Sequence, residues 1–298
     1  MRLRAHRTHL AGLLALAVAA CVRGGRAPEA RGISVTDDAG RRVALAAPAR
    51  RVVSLSPAVT ELLFALGAGD QVVGRTTWCD YPPAARAVPS VGDGLNPNVE
   101  AVAARHPDLV VLYQSQLNET AARQLERIGL AAAVVRQDRL EDVGRAAQLL
   151  GALTGRRAAG DSLAREIERL ARGPALQPPP MARVAIVVWD SPPMVIGAGS
   201  YLDELTRLAG AANVFHDLAS ASASVSLETI AARHPDVIVV LADTGSALPG
   251  FASRPEWQVI PAVRARRFAV LAGSLFGRPS PRAAEAVAEL RRSLEAVR

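Results

Sequence analysis

At 298 residues, the chain is twice the usual length of a single domain, and 50% hydrophobic against 21% charged residues excludes a disordered or fibrous polymer. All 35 basic residues are arginine and the formal charge is +7, but from Cys21 onward 32 arginines face 28 acids with the signs interspersed. Aromatics make up only 4% and no basic stripe interleaves with them, which argues against a nucleic-acid partner.

The chain opens with Arg2, Arg4 and Arg7 ahead of an apolar run from Leu10 to Ala20. Eleven residues are too few to cross a bilayer as a helix and match the apolar stretch of an export signal, here residues 1–20. The run ends in Val18-Ala19-Ala20-Cys21, an aliphatic residue, two small residues and a cysteine, which resembles the bacterial lipoprotein cleavage box. Cys21 is then the lipidated first residue of the mature protein; the alternative is an ordinary signal peptide with a chance cysteine. Residues 21–32, including Val22-Arg23-Gly24-Gly25, read as a tether. The protein is thus expected outside the cytoplasm, periplasmic or at the cell surface, held to a membrane by its lipid. Cys79 has no partner cysteine left, so no intrachain disulfide is expected.

Residues 33–155 form the first α/β lobe. Arg51 to Pro57 reads as a strand running into a Ser-Pro turn, followed by a helix that ends at Gly67. Glu100 to Asp108 (EAVAARHPD) places Val102 and Ala103 on one helix face, with Pro107 as the stop and Leu109 to Leu112 as a buried parallel strand. From Ala158 to Arg172 no proline interrupts an amphipathic stretch with Leu163, Ile167 and Leu170 on one side. It predicts one connecting helix over 156–173, about 22 Å long at the helical rise. A helix of that kind restricts hinge motion between lobes.

Residues 174–298 repeat the plan. Val184 to Pro192 is again a strand into a Ser-Pro turn, and Glu204 to Gly210 again a helix ending in glycine. Glu228 to Asp236 (ETIAARHPD) precedes the strand Val237 to Leu241. The pattern in each half is strand, helix, helix, strand, that of an open α/β sheet; the fold class is two such lobes joined by one long helix. A spacing near 130 residues excludes a short-period solenoid.

Ser54 to Glu61 (SLSPAVTE), Asp80-Tyr81-Pro82-Pro83, and Glu100 with His106-Pro107-Asp108 resemble the substrate-binding proteins of importers for iron siderophores, haem and vitamin B12. Pro192-Pro193, Ala209 to Asn213, Glu228 and Ser280-Pro281-Arg282 agree, and the cobalamin-binding branch fits best. The resemblance implies a monomeric receptor with a metal chelate in the cleft, delivered to an ABC permease dimer with its cytoplasmic ATPase. A corrinoid is the first expectation; haem and ferric siderophores are the alternatives. It also implies that Glu100 and Glu228 dock into arginine-lined pockets of the permease. The physical alternative for both acids is the ordinary preference for negative charge at a helix N-terminus.

The ligand-binding candidates are Ser56, Pro57, Trp78, Tyr113, Trp189, Ser274, Leu275, Phe276, Gly277 and Arg278. Trp78, Tyr113 with Gln114, and Trp189 follow strands, and ligands of open α/β sheets gather at the carboxyl ends of strands. In the cobalamin branch the loop from Ser274 to Arg278 contacts the ligand. Its acid and tryptophan correspond here to Ser274 and Leu275, and two further aromatic positions to Gly94 and Ser222. Arg278 is suited to a ligand carboxylate. Arg282 is assigned to local carbonyls, Tyr81 to anchoring its loop, and Trp257 to lobe packing.

Catalytic and metal-ion roles are not expected. Ser56 is not in a G-x-S-x-G elbow, and no glycine-rich phosphate loop follows Arg51 to Leu55, which weighs against an anchored α/β enzyme. His106 and His234 occupy equivalent helix ends in different lobes, so with His216 they do not converge as a zinc or manganese site requires.

Overall fold

The computed structural model describes residues 32–173, 180–242 and 248–297. The export signal, Cys21 and all of the tether but Gly32 lie outside them. Among the described residues, no helix is long and apolar enough to cross a membrane.

The first lobe begins with an antiparallel hairpin, β1 (Ile33–Thr36) and β2 (Arg42–Leu45). Next come β3 (Val52–Ser54), α1 (Pro57–Ala65), β4 (Val72–Arg75), α2 (Val99–Ala103), β5 (Leu109–Tyr113), α3 (Gln116–Arg127), β6 (Ala132–Val135) and α4 (Leu140–Leu153). The sheet is fully parallel in the order β4-β3-β5-β6. Val52, Val53, Val110, Val111, Ala133 and Val134 are all buried, as strands covered by helices on both faces must be.

After α5 (Arg157–Ala171), the second lobe runs β7 (Arg183–Asp190), β8 (Pro193–Ile196), α6 (Tyr201–Leu208), β9 (Ala212–Asn213), β10 (Ser222–Ser224), α7 (Leu227–Ala232), β11 (Val237–Ala242), α8 (Pro261–Arg264), β12 (Phe268–Ala272), α9 (Gly273–Phe276) and α10 (Ala283–Val297). Its sheet has the order β10-β8-β7-β11-β12, with β9 beside β7. The repeated plan of strand, helix, helix, strand needs correction: β4 stands between α1 and α2, β9 and β10 stand between α6 and α7, and the second lobe adds a further strand before α6. Pro192 and Pro193 turn the chain back into β8, antiparallel to β7, before α6 begins. The first lobe goes from β3 straight into α1.

The shared His-Pro-Asp segment has a common structural purpose. His106 and His234 adopt φ of 47° and 48°, reversing the chain after α2 and α7. The aspartate that follows then ties that turn to the central strand: Asp108 accepts from the Arg50 and Arg51 amides, and Asp236 from the Arg183 amide. Arg51 and Arg183 complete the knot by donating to the carbonyls of Arg105 and Arg233.

The connecting helix forms as expected, and α5 packs closely on α4. Small residues permit the approach: a Cβ on Gly160 would stand 2.5 Å from the Ala147 carbonyl oxygen. At its far end, the Ala171 carbonyl accepts from Arg207 of α6. One apolar cluster is continuous through both lobes, with Leu62, Leu150, Ile167, Leu205 and Leu290 among its members. Trp257 is buried in the second lobe against Phe251, ring centroids 4.0 Å apart.

Candidate functional site

The carboxyl ends of β3, β5 and β6 point at the junction of the lobes, where the loop after α9 meets them. Between them lies a cavity of about 300 Å³ lined by Ser56, Pro57, Tyr113, Gln137, Gly277 and Arg278. A second cavity of about 230 Å³ shares Gln137 and Gly277 and adds Asp138 and Tyr201. Both lobes therefore wall the same cleft.

Its first-lobe wall is held by hydrogen bonds among the buried Ser54, Ser56, Thr60 and Gln137 and, at the rim, between the half-buried Tyr113 and the exposed Asp138. Thr60 donates to Ser54 Oγ at 2.8 Å, and Ser54 donates to the Ser56 carbonyl. Ser56, the residue before α1, donates from Oγ to Gln137 Oε1 at 2.8 Å. Tyr113 donates its hydroxyl to Asp138 Oδ1 at 2.8 Å. Burial, and then the Asp138 carboxylate, push the Tyr113 hydroxyl up to about 12, so it stays protonated.

Ion pairs cross between the walls. Arg278 Nη1 lies 2.5 Å from Asp80 Oδ1 and 3.7 Å from Glu61 Oε1. Burial alone would raise the Asp80 carboxyl, but the Arg278 hydrogen bond and charge outweigh it and hold Asp80 below its ordinary value. Arg282 grips Glu61 with two donors and lies 3.8 Å from the Tyr81 ring centroid. Farther along, Arg139 pairs with Glu204, and the Tyr201 amide donates to the Asp138 carbonyl.

Ser56, Pro57, Tyr113, Gly277 and Arg278 are thus brought together as expected. Leu275 needs correction as a ligand contact: it is 4% exposed, belongs to the apolar core and lines neither cavity. Phe276 also packs in the apolar core, yet it contributes to the lining of the second cavity. Ser274 lines neither cavity and gives its carbonyl to Arg282. Arg282 meets that one local carbonyl, but its main partner is Glu61 in the other lobe. Tyr81 anchors through that arginine.

Trp78, 62% exposed, lines neither cavity, although its loop is tied across the cleft through Asp80. Trp189, 61% exposed, borders a separate hollow of about 320 Å³ at the ends of β7 and β11, with Val240 and Phe251. Glu100 and Glu228 are both exposed at the starts of α2 and α7, behind the capping residues Asn98 and Ser226. The backbone amide of Glu228 and the Ser226 hydroxyl hold the Glu228 carboxyl below its ordinary value. Cys79 is buried beside Thr76. Among the described residues, no three His, Cys, Asp or Glu side chains gather as a metal ion would need.

Gln137 escaped the sequence reasoning. It belongs to no motif, yet it stands two residues past β6, a position that the rule applied to Tyr113 would also have selected.

Comparison with known proteins agrees with this architecture. The family model described as periplasmic binding protein matches residues 52–275. An uncharacterised ABC transporter substrate-binding lipoprotein of Bacillus subtilis, YvrC, is 28% identical over 271 residues, covering 88% of this chain and 85% of that protein. The vitamin B12-binding protein of Salmonella typhimurium is 31% identical over 202 residues, 67% of this chain and 75% of the relative. Among solved structures, the periplasmic heme-binding protein BhuT in complex with two hemes superposes with a TM-score of 0.70 at 28% identity, over 84% of this chain and 99% of that one. The match spans both sheets and the helix between them, and the chain accordingly belongs to the periplasmic binding protein family, whose members are non-enzymatic substrate-binding components of transport.

Proposed function

We propose that this protein is an extracytoplasmic receptor that captures a metal chelate between its lobes and delivers it to an ABC permease dimer driven by a cytoplasmic ATPase. The observation that carries this reading is the pair of joined cavities built from both lobes around Tyr113, Gln137, Gly277 and Arg278. A flat chelate lying there would touch two walls at once, which a bare metal ion could not. A corrinoid is the favoured ligand, supported by the vitamin B12-binding relative. Haem is the second reading, supported by the structural likeness to a heme-binding protein and by the Tyr113 phenol in the cavity wall. A ferric siderophore is the third.

The exposed acids Glu100 and Glu228 are assigned to docking, one per lobe, because equivalent acids on equivalent helices suit a two-fold symmetric partner. Cys21 is assigned to the lipid anchor, in keeping with the lipoprotein relative. Titrating the full chain with cobalamin, cobinamide, haem and a panel of ferric siderophores tests the reading through tryptophan fluorescence. Saturable quenching by one chelate class supports it, and no quenching by any of them overturns it.

A further inference from the structure

Gln137 is 6% exposed and borders both cavities. Its Oε1 accepts from Ser56 Oγ, and Ser56 is itself fixed as the residue immediately before α1. That bond orients the amide and leaves Nε2 as the free end. Nε2 is buried and has no hydrogen-bond partner. Folded proteins retain few such donors, because each one costs free energy until an acceptor arrives. At the wall shared by two cavities, the acceptor that satisfies it would come from the ligand.

The charges facing the same space are already matched. Arg278 is held by Asp80 at 2.5 Å with Glu61 at 3.7 Å, and Arg282 is spent on Glu61. The Tyr113 hydroxyl is given to Asp138, whose carboxylate borders the second cavity. A ligand carboxylate reaching Arg278 would have to displace Asp80 and then stand near Glu61, and one in the adjoining cavity would meet Asp138. Like charges at such range are unfavourable. An uncharged carbonyl oxygen meets none of these penalties.

We propose that Gln137 determines specificity by donating from Nε2 to an uncharged oxygen on the chelate. Asp80 acts as a positioning residue that withholds Arg278 from ligand carboxylates. The cleft would then select chelates whose rim carries neutral amides over those whose rim carries carboxylates. This inference rests on the chelate-receptor reading above.

The test compares two probes built on one macrocycle. Dicyanocobinamide carries primary amides around the corrin, and dicyanocobyrinic acid carries carboxylates at the same places. The full chain should bind the amide form at least tenfold more tightly at pH 7, read by fluorescence quenching. Gln137→Met removes the donor at similar volume and should weaken the amide form at least fivefold more than it weakens the carboxylate form. Gln137→Glu keeps an acceptor for Ser56 and should weaken the amide form by tenfold or more. Asp80→Asn frees Arg278 and should strengthen the carboxylate form at least fivefold. Equal binding of the two probes, or an unchanged amide-form affinity in Gln137→Met, overturns the proposal. Binding of haem without binding of cobinamide also overturns it, yet leaves the receptor function standing. Failure of every chelate to bind overturns both.

Discussion

Arg282 and Glu61, 221 residues apart in sequence, meet across the two lobes through a forked pair of hydrogen bonds at 2.8 and 3.0 Å. Both side chains are largely buried, and Glu61 has the Arg278 guanidinium as a second cation nearby. Burial opposes the charge on Arg282, but its bonds to Glu61 more than offset this and raise its pKa. Removing the cation leaves a carboxylate buried with too little compensation. Arg282→Ala should therefore cost about 3–5 kcal/mol in denaturant unfolding, and Arg282→Lys less, because a lysine keeps the charge but loses the fork. A loss below ~1 kcal/mol for Arg282→Ala would show that the pair does not join the lobes as described.

The Asp80 contact sets an acid limit. Because the Asp80 carboxyl is held below its ordinary value, the stabilisation it supplies is complete above the unfolded-state value near 3.8 and disappears as pH falls through the lower folded-state value. The lobes should stay clamped at this point throughout neutral and mildly acidic pH. Fluorescence of Trp78, two residues from Asp80, should report the release only in strong acid, and Asp80→Asn should remove that acid transition. A transition near neutral pH that depends on Asp80 would contradict the assignment.

Docking separates from capture. Glu100→Ala and Glu228→Ala should each reduce transport in cells, and the double variant should nearly abolish it, with chelate affinity unchanged. Glu→Arg at either position should be worse than Ala, since it sets like charges against the basic pocket proposed on the permease. Full transport by the double variant would leave these acids with only their helix-end role.

Anchoring is tested at Cys21. Cys21→Ala should yield an exported but unlipidated protein that leaves the membrane fraction and binds its chelate with undiminished affinity. A membrane-bound product without acyl chains would contradict the assignment.

The repeat explains why so much of the fold was legible. EAVAARHPD and ETIAARHPD encode the same local device, a capped turn of helix, a left-handed histidine, and an aspartate bonded to the neighbouring strand. Such interactions are short in sequence and leave a pattern. The connecting helix was readable for the same reason, from its apolar spacing and a stretch that no proline interrupts. What could not be read depended on long-range pairing. Arg282 looked like a local cap because Glu61 lies in the other half of the chain. Leu275 follows a strand, as cleft residues do, yet it lies buried within the brief α9 turn and packs in the core. Gln137 carries no motif at all, and only the folded arrangement shows that its amide nitrogen lacks a partner.

The central claim is that a chelate sits between the lobes, and it is tested most directly by titrating the tightest-binding chelate against the full chain and against Tyr113→Ala. Tyr113 lines the cavity, so losing its ring should weaken binding roughly 5- to 150-fold, as expected for a buried aromatic contact. Trp189→Ala, on the separate hollow, serves as the comparison and should change affinity much less. An unchanged affinity for Tyr113→Ala together with a large loss for Trp189→Ala would move the ligand out of the inter-lobe cavities and contradict the account.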